Sequence, residues 1–361
     1  MKKNVIREKP FEFLRDKNGN KFSKDIVNNW YIARLYVLDK LKDVAFKPNE
    51  NSHLQVIVDG DSPLMLSVVR FIALYAHYIN FKEDYEFGSL VCKNRTVITL
   101  VSRNEHIIEE LGKEEYLSYM MDYYKSDSYL DTELHIVEEP IEDTNAIIIR
   151  ISENDINEFV SDKDEQEIFS IDTRKAVIVG SIYNLGSLID NLPAEDIHCA
   201  KRYTAALDAF SYNLQREETG YLINQEKWER DLIAVKNGIS SIFCSDCFES
   251  RALSMNRIKE NEYQIWEDNN EALSVSEHAR WVTERLIMGY RPFNDCERFR
   301  YQSLLGDQRN RYIKKLKTNP YDLVHIDICS FRDLRRINPD DLKYDSFMML
   351  AIPIILEKQK S

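Results

Sequence analysis

The strongest constraint on the fold is a series of short, continuous apolar runs rich in β-branched residues. They read LQVIVD over 54–59, RTVITLVS over 95–102, LHIVE over 134–138, AIIIRI over 146–151 and AVIVGS over 176–181. Strands that are apolar on both faces belong to parallel sheets buried on both sides. Helical patterns separate the runs. The first of these spans about Pro63 to Ile79, where Asp61 and Ser62 can cap it and Pro63 suits its first turn. A second begins near Glu105, and a short one through Leu185 and Leu188 follows the last run. This alternation predicts a Rossmann-like α/β domain with a parallel sheet over residues 51–194. Residues 1–50 form an N-terminal helical segment. It opens with an Asn18-Gly19 turn, and its amphipathic helix over 29–42 places Ile32, Leu35, Leu38 and Leu41 on one face.

In an open parallel sheet, ligands bind beyond the carboxyl ends of the strands. The first strand ends Val58-Asp59-Gly60-Asp61-Ser62-Pro63. A dinucleotide fingerprint would place G-x-G-x-x-G there, and only Gly60 is present. Asp59 and Asp61 would repel a phosphate by more than the half charge of a helix N-terminus attracts it. Arg103, after the second strand, is compatible with a phosphate partner, a sheet-edge cap or an ion pair with Glu105. Asp59, Gly60, Asp61, Ser62 and Arg103 are thus a poorly equipped nucleotide site. A sheet domain without a cofactor is the favoured reading, and the sequence assigns no cofactor.

Residues 195–270 read as a helical connecting region, with helices over 197–214, 228–235 and 241–253. No Pro/Gly/Ser-rich linker separates it from its neighbours, so the parts are expected to pack together. Residues 271–291, EALSVSEHARWVTERLIMGYR, form a three-faced helix closed by Gly289. Val275, Ala279, Val282 and Leu286 make the core face. Glu277, Arg280 and Glu284 read as a solvated salt ladder. His278, Trp281, Arg285 and Met288 make a mixed stripe that closes an interface or lines a pocket.

This stretch resembles the opening of a ryanodine-receptor-type repeat (RyR domain), a small, mainly α-helical module. His278, Trp281, Arg285 and Gly289 stand where that family has His, Trp, Arg and Gly, with Tyr290 in place of its usual Trp. His325, Phe331 and Leu334, then Lys343, Asp345 and the apolar run after them, match its second half. Arg291-Pro292-Phe293 stands where the family has Tyr-Gly. The resemblance covers about residues 270–357 and implies an RyR-like domain over 271–361. Bacterial members often carry an N-terminal Rossmann-like segment similar to the nucleotide-binding domain of potassium-uptake regulators. No settled activity comes with the resemblance.

The stripe carries the best candidate chemistry. Trp281 and Tyr290 offer flat faces, Arg285 a fork for phosphate or carboxylate, and His278 and His325 further hydrogen bonds. Trp281 can also hold Arg285 in place through its ring face. The competing reading is that Trp and His simply join two halves of the module. A net charge of −13 disfavours nucleic acid as main partner. The basic residues Arg309, Arg311, Lys314, Lys315 and Lys317 read as a surface helix. The longest apolar run, residues 63–79, is interrupted by Arg70 and His77, so no membrane insertion is expected. Six cysteines and no signal-peptide pattern at the start point to a reducing cytoplasm. Cys244-Ser245-Asp246-Cys247 lacks a second pair or a nearby His and reads as structural thiols, so no metal is expected. No P-loop, HExxH or G-x-S-x-G is present. His106 and His135 have no partner at informative spacing, and His198 beside Cys199 reads as a partly buried His. No catalytic residue is therefore assigned. The expected function is a non-enzymatic cytoplasmic ligand sensor or regulator that binds a small, nucleotide-like anion. A nucleotide-dependent enzyme and an interaction scaffold stay open, and a homo-oligomer is compatible with either.

Overall fold

A computed structural model describes residues 11, 20–86, 89–113, 115–121, 129–171, 236–256, 265, 266, 268–319, 322–346, 348–350 and 352. Its centre is a four-stranded, all-parallel sheet of β1 (His53–Asp59), β4 (Thr96–Val101), β5 (Thr132–Val137) and β6 (Ala146–Ser152). The spatial order is β5-β4-β1-β6. The chain therefore builds outward from β1 and then crosses to its other side, which puts the topological switch point between β1 and β6. Four of the five expected strands are in place. The fifth, over 176–181, lies outside the described residues, as do the expected helices over 197–214 and 228–235.

Helices cover the sheet. α2 (Pro63–Tyr75) packs on β1 and β4, α4 (Glu115–Met121) on β5, and α5 (Glu153–Ser161) on β6, while α3 (Glu105–Lys113) packs on α2 and α4. α2 ends at Tyr75 rather than Ile79. The chain beyond it, through Phe81, stays buried without helical structure. Short α6 (Glu165–Ile168) follows α5.

The N-terminal helix α1 (Lys24–Leu41) starts earlier than expected, at a Ser23 cap that accepts from the Ile26 amide. Its buried face also differs. Val27, Trp30, Tyr31, Ala33, Tyr36, Val37 and Leu41 are buried, while Ile32, Leu35 and Leu38 are half-buried on the flank. The aromatic side chains bury more area than leucine and set the helix rotation. Phe11 anchors this face through ring contacts with Trp30, Tyr31, Phe71 and Phe243.

An antiparallel hairpin of β2 (Lys82–Glu86) and β3 (Ser89–Lys93) precedes β4. Asn94 turns the chain into β4 with a left-handed φ of 58°. The hairpin reaches the C-terminal part of the chain. The Glu83 carboxylate accepts from the Phe331 and Arg332 amides, at 2.9 and 3.1 Å, at the start of α12 (Phe331–Ile337). Glu83→Ala would leave those two helix-end donors without their acceptor. The expected loss is about 1–2 kcal/mol, read as a lower urea midpoint at unchanged slope.

The C-terminal part comprises α7 (Lys236–Asp246), α8 (Phe248–Asn256), α9 (Asn270–Ile287), β7 (Tyr290–Arg291), α10 (Asp295–Ser303), α11 (Asp307–Lys317), β8 (Leu323–Val324) and α12. The helix expected over 241–253 is two helices, broken at Cys247. β7 and β8 pair in parallel, and the Arg291 guanidinium is held by Glu297 and Asp322 where the resemblance would place a different turn. Gly289 ends α9 with φ +81°. One apolar core runs without a break from α1 through the sheet and α2 to Ile239, Ile242 and Phe243 of α7 and to Val282 and Leu286 of α9. The sheet and the C-terminal helices therefore share a core, as the missing linker suggested. Among the described residues, no helix is long and apolar enough to cross a membrane.

The expected salt ladder of α9 is corrected by this packing. Glu277, Arg280 and Glu284 are all 0% exposed. Helix α9 meets α2, α4, α7 and α12, so its charged face lies against protein as well. The charges are matched inside. Arg280 donates to both Glu277 oxygens at 3.0 Å and to Glu284 at 2.7 Å. Arg251 of α8 meets Glu277 at 2.8 Å. Ser240 and Cys244 of α7 donate to Glu284 and Glu277. Burial pushes the Glu277 carboxyl up, but Arg280 and Arg251 outweigh it and hold it below its usual 4.5.

Candidate functional site

The helix period that defines the mixed stripe also assembles it. His278 and Trp281, three residues apart on α9, stack with ring centroids 6.1 Å apart and planes 19° apart. One turn further on, the Arg285 guanidinium lies 5.2 Å from the Trp281 ring and 5.8 Å from the Tyr290 ring. Gly289 turns the chain so that Tyr290 comes back against the helix end. His325 follows β8 and packs edge-on to Trp281 at 4.8 Å and to Tyr290 at 6.0 Å. All five residues expected from the sequence therefore meet in one cluster.

Their roles separate. His278 has both ring nitrogens engaged by protein. Its Nε2 bonds the Cys329 carbonyl at 3.0 Å, its Nδ1 lies 3.3 Å from Asp345, and Phe331 packs on its edge. Burial disfavours its charged form, but the bonds to Asp345 and Cys329 and the Asp345 charge together hold it well above the usual 6.5. His278 and Asp345, the two polar ends of the resemblance, thus pin α9 to the helical segment over 342–346. Arg285 is less satisfied. Its nearest carboxylate oxygen, Glu284 Oε1, is 3.7 Å away on a carboxylate that Arg280 already holds. Among the described residues, its buried Nε has no hydrogen-bond partner, and its Nη1 meets the Met288 sulfur at 3.9 Å. His325 Nδ1 accepts the Asp327 amide at 3.3 Å and lies 3.4 Å from the Asp327 carboxylate. Burial, Lys317, Arg285 and His278 push its pKa well below 6.5, so it is neutral at neutral pH.

Four further residues lie near the cluster; no motif announced three of them, and Lys317, expected on a surface helix, is half-buried. Lys317, at the end of α11, is lowered by burial and feels Asp327, Asp341 and Arg285. The Asn338 amide donates to Asp327 at 2.9 Å and to Asp341 at 2.7 Å. Burial and the Asp327 carboxylate push Asp341 up to about 6. Only a pairing pattern across distant segments could have found this set, because its members come from three separate elements.

The strand ends have a different character. Asp59 and Asp61 are exposed and Ser62 half-exposed at the mouth of the sheet, and the Ser102 hydroxyl bonds Asp61. Ser62 starts α2 without a side-chain cap bond. Gly60 has φ +151°, and a Cβ there would lie 2.8 Å from Met65 Cγ and 3.4 Å from Glu153. Met65 and Glu153 thus crowd Gly60 on the side where a Cβ would stand, and Glu153 adds a third carboxylate near the strand end. Arg103 is exposed and lies 3.9 Å from Glu138 and from Glu139, not against Glu105.

The remaining candidates resolve simply. Cys244 and Cys247 are fully buried, and burial pushes Cys247 up to about 12 and Cys244 well above its usual 9. Such thiols are protonated and poor nucleophiles. His135 pairs with Glu133 at 3.1 Å, and His106 is exposed. His198 and Cys199 lie outside the described residues. On the basic helix α11, Arg311, Lys314 and Lys315 are exposed, whereas Arg309 and Lys317 are half-buried. A cavity of about 10 Å³ beside the Arg34–Asp246 ion pair has room for one water at most. Comparison with known family models, curated proteins and solved structures finds no match.

Proposed function

We propose that this protein is a non-enzymatic cytoplasmic sensor or regulator, and that it binds a small planar anion at Trp281, Arg285, Tyr290 and His325. Residues 270–357 would be the sensing module, similar to ryanodine-receptor-type repeats, and the parallel sheet its rigid support. The observation that carries this reading is Arg285. Its guanidinium is fixed between two aromatic rings, yet it lacks a close carboxylate of its own. A preorganised guanidinium beside half-buried aromatic rings favours an anion joined to a flat group. The acidic strand ends, with Asp59, Asp61 and Glu153 together, argue against a phosphate at the sheet.

A thermal-shift screen against nucleotides, dinucleotides and cyclic nucleotides tests this reading. Ligand at about 100 times its Kd stabilises the folded state by about 2.7 kcal/mol. The screen should give at least one clear rise in Tm, abolished in Trp281→Ala with its far-UV circular dichroism unchanged. A rise that survives Trp281→Ala and disappears only on substitution of Asp59 or Arg103 would move the site to the sheet.

A further inference from the structure

We propose that the hairpin of α10 and α11 is a docking surface for an anionic membrane, on which the protein lies without crossing it. This inference does not depend on the anion site at Arg285. Residues 295–317 hold seven Lys and Arg against three Asp and Glu, a local charge of +4 in a chain of −13. Two cross-packed arginines fix their geometry. The Arg300 guanidinium of α10 lies 5.2 Å from the Tyr312 ring of α11, and the Arg309 guanidinium of α11 lies 4.5 Å from the Tyr301 ring of α10. The helices therefore run antiparallel, and their tip is Leu304-Leu305-Gly306, where Gly306 takes a φ of +50°. Tyr301, Tyr312, Ile313 and Leu316 turn inward onto the small core with Phe293 and Val324. Arg300, Arg311, Lys314 and Lys315 are exposed.

Apolar side chains stand out on the same hairpin. Among the described residues, three large apolar side chains are more than half exposed: Ile141, Phe299 and Leu305. Phe299, on the outer side of α10, is 75% exposed, and Leu305, on the tip, is 77% exposed. Entry into the headgroup layer takes such side chains out of water.

Their isolation favours lipid over protein. A protein partner of standard size needs about 800 Å² of complementary surface on each side. Two single side chains do not supply the core of such a surface. A lipid surface needs no matching shape, and nearby Lys and Arg add attraction to its anionic headgroups. The rest of the chain is acidic, but exposed charges beyond a Debye length, about 8 Å at physiological salt, are largely screened. The local excess of positive charge therefore decides the sign. Asp327 and Asp341, which Tyr301 feels, are buried and half-buried.

The test uses the full chain and sedimentation with phosphatidylcholine vesicles, with or without about 30% phosphatidylserine. Wild type should pellet with the anionic vesicles far more than with phosphatidylcholine alone, and added salt should release it. Phe299→Ser with Leu305→Ser should weaken binding at least about tenfold. Lys314→Gln with Lys315→Gln should weaken it roughly thirtyfold. All four side chains are exposed, so the urea midpoint of each double variant should match wild type. Wild type that stays in the supernatant with anionic vesicles overturns the proposal, and its capture on polyglutamate would then assign the hairpin to an acidic protein. Vesicle binding that either double variant leaves unchanged overturns it as well.

Discussion

Arg280→Leu is expected to lower the free energy of unfolding by about 3–5 kcal/mol, the usual cost of leaving a buried charge without its partner. Arg280 is fully buried and holds two carboxylates at once, Glu277 and Glu284. Arg251 meets Glu277, so that carboxylate would keep one partner. Glu284 would keep the Ser240 hydroxyl and the distant Arg285. Neither offsets the loss of a guanidinium in contact at 2.7 Å. Two guanidinium groups and two carboxylates cancel in the native cluster, and removing one leaves a net buried negative charge. Urea denaturation of the variant should show a much lower midpoint with an unchanged slope. A shift below about 1 kcal/mol would place the cluster on the solvated surface, where such pairs contribute little.

The second large effect is at His278. His278→Leu leaves Asp345 buried without its cation and should cost about 3–5 kcal/mol at pH 6. The pH dependence carries the sharper signature. Folding raises the His278 pKa well above 6.5, so its contribution is fully present below pH 6.5. It is lost as pH rises through the folded-state value. Burial also raises Asp345, which pairs with His278 and feels Glu277 and Arg280, above 3.8. Its desolvation cost therefore grows over the same direction of pH and leans on His278 for relief. Wild-type stability should fall as pH rises above 6.5 and through the raised His278 value, and His278→Leu should flatten that fall. Urea midpoints at pH 6, 7.5 and 9 decide the matter; an equal slope in both proteins would mean that His278 is uncharged in the folded state.

The sheet is readable from the chain because buried parallel strands must be apolar on both faces. LQVIVD forms the buried β1, whereas AIIIRI forms β6, of which only Ile151 is fully buried, and β1, β4, β5 and β6 all lie where apolar runs occur. The β2–β3 hairpin has no such signature. KEDYE is polar and SLVCK has only three apolar residues in a row, and both are short and half-exposed, so neither period stands out. On α9 the helical period places His278, Trp281 and Arg285 on one strip, and the contacts among them follow from that spacing. The same period puts Glu277, Arg280 and Glu284 on one face, but it carries no information about what packs opposite. Arg251, Ser240 and Cys244 come from other helices, and only the tertiary structure shows that they turn a surface ladder into a buried network. Lys317, Asp327, Asn338 and Asp341 were illegible for the same reason.

The most direct test of the anion-site account is the indole N–H spectrum of protein labelled with ¹⁵N at its four tryptophans. Trp281→Phe assigns the Trp281 resonance, and Trp30 and Trp266, both buried, serve as internal references. The probe is adenosine monophosphate, a flat base joined to a phosphoryl group. The account predicts that the Trp281 resonance moves progressively with added nucleotide, that Trp30 and Trp266 stay fixed, and that Arg285→Met abolishes the movement. A nucleotide that raises the Tm while the Trp281 resonance stays still would contradict it.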